Sequence, residues 1–137
     1  MKTWRAFAIA VLAFWSIAGW SANDIPAEAQ ETIDATGFPI YPDASYCTGD
    51  PSMGMRLASS DSVEKVREWY RAQFPEWSVY DKYGGWILHP GPADAPMPVV
   101  MSGNQVSITQ NPALPEWHGL SPDMTTEILI AVVVAGE

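Results

Sequence analysis

Met53, Met55 and Leu57 alternate with Gly54, Arg56 and Ala58, the period-two pattern of a strand with one buried face. Residues 44–47 read as a short strand before it. Thr48-Gly49-Asp50-Pro51 is strong turn chemistry between the two, so the pair predicts a hairpin. The period then changes. Val63, Val66, Tyr70 and Phe74 recur at spacings of three and four, which predicts a helix that Pro75 ends. Asp61 is placed to cap its first turn, with Glu64 three residues on to reach back as a capping box. Glu64, Lys65, Arg67, Glu68 and Arg71 fall on the polar side, where Glu64–Arg67 and Glu68–Arg71 are spaced to pair.

Beyond Pro75 the pattern is short and strand-like again. Residues 77–80 and 86–88 flank Asp81-Lys82-Tyr83-Gly84-Gly85 and predict a second hairpin. Residues 99–101 and 105–109 flank Ser102-Gly103-Asn104 as a third pair of strands. Residues 111–123, with three prolines, predict an irregular excursion, and residues 127–134 form a β-branched, nearly continuous apolar run suited to a central strand. The lead-in Gly37-Phe38-Pro39-Ile40-Tyr41-Pro42-Asp43-Ala44 is expected to be extended and to pack on a sheet edge. Together these elements predict an α+β domain, one antiparallel sheet of about five to seven strands with a single helix packed on one face.

The amino terminus has a different character. Lys2 and Arg5 precede a charge-free stretch over residues 6–18 containing Ile9, Val11, Leu12, Phe14 and Ile17, the pattern of an export signal. The run is shorter than the roughly 20 apolar residues that span a bilayer, so cleavage is expected in place of anchoring. Gly19-Trp20-Ser21 and Ala27-Glu28-Ala29 both offer small residues for a peptidase, which brackets the cut between Ser21 and Ala29. The expected organisation is a signal peptide over residues 1–29 and one α+β domain over residues 30–137, located in the periplasm or secreted, with no stable membrane insertion after cleavage.

A net charge of −9 makes nucleic-acid binding and attachment to anionic lipid poor expectations, because phosphate repels such a surface. Cys47 is the one cysteine and cannot close an internal bridge, so packing must supply the stability.

The segments Pro39-Ile40-Tyr41-Pro42-Asp43-Ala44 and Ser60-Asp61-Ser62-Val63-Glu64-Lys65-Val66 resemble a loosely defined class of small secreted or periplasmic bacterial domains. That class combines a Pro-x-Tyr-Pro-x-Ala lead-in with a Ser-Asp-Ser-x-Glu-x-Val helix. The resemblance implies a fold and carries no common activity.

Three chemistries compete. Tyr80, Tyr83 and Trp86 cluster at one hairpin and Trp117 lies in the long excursion. Flat aromatic faces of this kind anchor protein interfaces and stack on sugar rings, so the leading expectation is a non-catalytic domain, needing no cofactor, that binds a protein or envelope polymer. The alternative is a soft-metal, copper-binding protein using Met53 and Met55 as two thioethers on one strand face, with His89 and His118 as further donors. A hydrolase is the second alternative. It would need Cys47 beside His89 or His118, and no nucleophile motif surrounds Cys47.

Overall fold

The computed structural model describes residues 24–133, so residues 1–23 of the expected signal peptide lie outside the described residues. The fold is α+β. Six strands, β1 (Ser45–Asp50), β2 (Gly54–Ser59), β3 (Ser78–Tyr80), β4 (Ile87–His89), β5 (Gln105–Gln110) and β6 (Thr126–Ala131), form one antiparallel sheet. Its spatial order is β1-β2-β6-β5-β4-β3. The last strand in sequence is therefore inserted at the centre, between β2 and β5.

Alternation divides the sheet into two unlike faces. On one, Met55 and Leu57 lie opposite Ile130 and Ile128, which lie in turn opposite Val106 and Ile108, and Val106 faces Leu88. These seven side chains are essentially inaccessible to solvent and form the core. The helix α2 (Val63–Gln73) lays Val63, Val66 and Tyr70 onto that core, as its apolar stripe predicts.

One helix does not complete the cover. A preceding helix, α1 (Ala27–Thr36), adds Ala29 and Ile33 to the same core, and Gly37 closes it in the left-handed conformation. Its weak amphipathicity and its overlap with the bracketed leader hid it in the sequence. Two short helices, α3 (Met97–Met101) and α4 (Leu114–His118), lie in the later connections.

The predicted strand at residues 99–101 is thus corrected to the helix α3. Val100 is buried between exposed Val99 and Met101, an alternation that both periods allow over so short a window. Pro98 at the start of α3 decides for helix, because its missing N–H falls where no intrahelical partner exists. The excursion is also more ordered than predicted. Asn111 N–H donates to Thr125 O and closes its two ends, and Leu114 of α4 is fully buried.

The first turn of α2 is capped one residue later than predicted. Ser62 Oγ accepts from Lys65 N–H at 3.1 Å, so Asp61 is released for other work. The Tyr41 hydroxyl donates to Asp61 Oδ2, Lys65 Nζ lies 3.6 Å from the same oxygen, and Asp61 O accepts from Thr126 Oγ1. Burial, reinforced by the hydrogen bond to Asp61, pushes the Tyr41 phenol up to about 12.

The lead-in is likewise tied to α2 and the core. Tyr70 Oη donates to Pro39 O and accepts from Tyr41 N–H, while the Phe38 and Phe74 ring centroids are 5.3 Å apart.

Neither predicted ion pair on α2 forms. Arg67 instead reaches across Trp86, 4.9 Å from the ring centroid, and donates to Ile108 O through Nε and Nη2 at 3.1 and 2.8 Å. The β4–β5 ladder runs only over Ile87↔Ser107 and Leu88↔Val106, so this guanidinium serves a carbonyl that β4 does not reach.

Candidate functional site

The second face of the sheet is covered only in part. Toward β3 and β4, Val100 of α3 and Ala95 pack on Tyr80 and Ile87 as a small satellite core. Toward the other end the excursion covers it, with Asn111 Nδ2 3.3 Å from Glu127 Oε2 and Ser45 Oγ 3.5 Å from Met124 Sδ.

Between them lies a groove of about 450 Å³, within the size range of small-ligand sites. Arg56, Ser107, Leu129 and Ala131 line it from the central strands, together with Ile87, Gln105 and Thr48. Met101 of α3 and Met53 of the β1–β2 turn complete the lining, and both are exposed.

Thr48 comes onto this face through a register shift. Tyr46 pairs with Leu57 on the core side, and the irregularity at Cys47 brings Thr48 opposite Arg56. Cys47 itself is half-buried. Burial outweighs the nearby Arg56 charge and pushes its thiol up to about 11, which keeps it protonated and poorly nucleophilic at neutral pH.

The one charged residue lining the groove is Arg56. Its Nε sits 2.7 Å from Glu127 Oε2, with side-chain exposures of 33% and 10% respectively. That contact is ionic only: the Nε–H is buried and has no aligned acceptor among the described residues. A neighbouring hollow of about 640 Å³ meets the groove at Met101 and Ala131, but its lining carries no ionisable side chain to orient a ligand.

The residues singled out from the sequence lie elsewhere and apart. Tyr80 and Trp86 are buried, on opposite faces of the sheet, Tyr80 in the satellite core and Trp86 in the main one. Tyr83 is 95% exposed at the tip of its loop and Trp117 62% exposed on α4. Two of the four aromatics are therefore packing residues and two are available as contacts.

The thioethers do not share a face. Met53 is exposed in the turn and Met55 is fully buried in the core, because Gly54, with φ of 101°, redirects the chain between them. The sheet separates Met55 from His89. His89 is buried beside Ile87 on the second face, where its Nδ1 accepts from Gly91 N–H. Burial lowers its pKa and keeps the ring neutral. His118 lies on α4, and among the described residues no group of three His, Cys, Asp or Glu side chains is placed to hold a metal ion.

Sequence reasoning missed Arg56, Ser107 and Leu129 as lining residues. Leu129 carried a usable signal, since it is apolar at a position whose neighbours Ile128 and Ile130 already supply the core phase. No protein family, curated protein or solved structure matches this chain.

Proposed function

We propose that this protein is a small exported binding domain without catalytic chemistry, and that its ligand lies against the partly covered second face of the sheet. The observation that carries this reading is the groove over the central strands, with an apolar floor at Leu129 and Ala131, one cation at Arg56 and exposed methionine side chains at Met53 and Met101. Methionine is flexible and polarisable, and it suits a surface that adjusts to its ligand. The groove lining contains no His, Cys or carboxylate, so binding accounts for its chemistry better than turnover does. Export is supported by the basic head and apolar run of the amino terminus.

The earlier expectation of aromatic contacts survives as a second reading at Tyr83 and Trp117, whose exposure favours protein or polymer contact there. An amide-detected NMR screen against mixed peptide, sugar and organic-acid fragments separates the two. Shifts centred on Arg56, Ser107, Leu129 and Ala131 support the groove. Shifts centred on Tyr83 and Trp117, with the groove silent, would refute it.

A further inference from the structure

We infer that the groove takes an amphiphilic monocarboxylate, a free aliphatic acid whose carboxylate meets the Arg56 guanidinium while its chain lies along Leu129, Ile87 and Met101. The inference rests on the binding reading above and gives it a ligand class.

The charge argument is local. Arg56 lines the groove, whereas Glu127 does not, and Glu127 is engaged from the side by Arg56 Nε and by Asn111 Nδ2. The buried Nε–H of Arg56 has no aligned acceptor among the described residues although Glu127 Oε2 lies 2.7 Å away, and the side chain is 33% exposed, so its fork is open to a ligand. A carboxylate matches that fork with two parallel hydrogen bonds. The wider charge of −9 repels a dianion about twice as strongly as a monoanion, which favours a carboxylate over a phosphate monoester.

Size and lining fix the remainder. A groove of about 450 Å³ with Ile87, Met101, Leu129 and Ala131 on its walls suits an unbranched chain of about ten carbons. Thr48, Gln105 and Ser107 are neutral, so nothing along the lining calls for a second charge on the ligand.

The test is calorimetric titration of the full mature chain with decanoate and decyltrimethylammonium below their micelle concentrations and with decanol below its solubility limit. Decanoate is expected to bind about tenfold or more tighter than decanol, the worth of a charge-assisted hydrogen-bond pair, and the cation weakest. Arg56→Ala leaves Glu127 unpaired and risks the fold, so the decisive variant is Arg56→Met combined with Glu127→Leu, which removes both charges together. That variant is expected to bind decanoate and decanol equally. Met101→Glu replaces an apolar wall of the groove with a negative charge and is expected to weaken both ligands, decanoate more than decanol.

Equal binding of acid and alcohol by the parent protein, or a preference for acid that persists in the double variant, overturns the inference. So does the absence of any binding. Groove-centred NMR shifts from other fragments alongside equal acid and alcohol binding would leave the binding face standing and remove only the carboxylate.

Discussion

Removing Arg56 should cost more stability than removing Glu127, although the two contribute to one ion pair. Arg56→Ala strands a carboxylate that is 10% exposed, with the Asn111 amide at 3.3 Å as its remaining partner. Breaking a fully buried pair costs about 3–5 kcal/mol, and the partial exposure of this one reduces the expectation to about 2–3 kcal/mol. Glu127→Ala strands a guanidinium that is 33% exposed and can take water, so about 1 kcal/mol is expected.

The assay is urea unfolding at pH 7 with the slope held common. A larger loss for Glu127→Ala, or losses below about 0.5 kcal/mol for both, would refute the claim that Glu127 is the desolvated partner.

Three further outcomes follow from particular contacts. Arg67→Ala removes both donors to Ile108 O and the cation above Trp86, and should cost about 2–3 kcal/mol in the same unfolding assay, with Arg67→Lys recovering only part. His89 is held below its ordinary pKa of 6.5 by burial, so its unfolded form binds the proton first. Its contribution to stability is complete above about pH 6.5 and is lost as pH falls toward the folded value, at up to about 1.4 kcal/mol per pH unit. The difference between parent and His89→Asn stability curves from pH 7 to pH 5 isolates that slope, and parallel curves would contradict it. If the leader is cleaved, amino-terminal sequencing of the exported protein should place the cut before Ile25, since Ile25 packs on the core and Ala29 is 2% exposed within α1. A product beginning at Gln30 with undiminished stability would contradict that reading.

The strands and α2 were legible because their periods are strong where one face is buried. Met55 and Leu57, Val106 and Ile108, and Val63, Val66 and Tyr70 all lie where alternation or helical spacing puts them. The place of β6 at the sheet centre was legible for the related reason that its run of apolar residues has no polar phase. What failed was local competition. Ser62 and Asp61 are both good caps, and only the tertiary hydrogen bonds of Asp61 to Tyr41 and Thr126 decide between them. Arg67 reads as a surface partner of Glu64 until the short β4 leaves Ile108 O for it.

The groove was less legible than the fold. It is made by what the connections leave uncovered, and its residues come from six separate elements and a turn. Aromatic clustering in sequence pointed to the β3–β4 hairpin, where Tyr80 and Trp86 turned out to pack into two different cores. Adjacent residues in a strand point to opposite faces, and a loop between strands adds no common direction.

The most direct measurement of the central claim is the amide NMR fragment screen on the mature domain. The account predicts that perturbed amides map to Arg56, Ser107, Leu129 and Ala131, with the surroundings of Tyr83 and Trp117 unmoved. Perturbations gathered around Tyr83 and Trp117, with those four amides still, would contradict it.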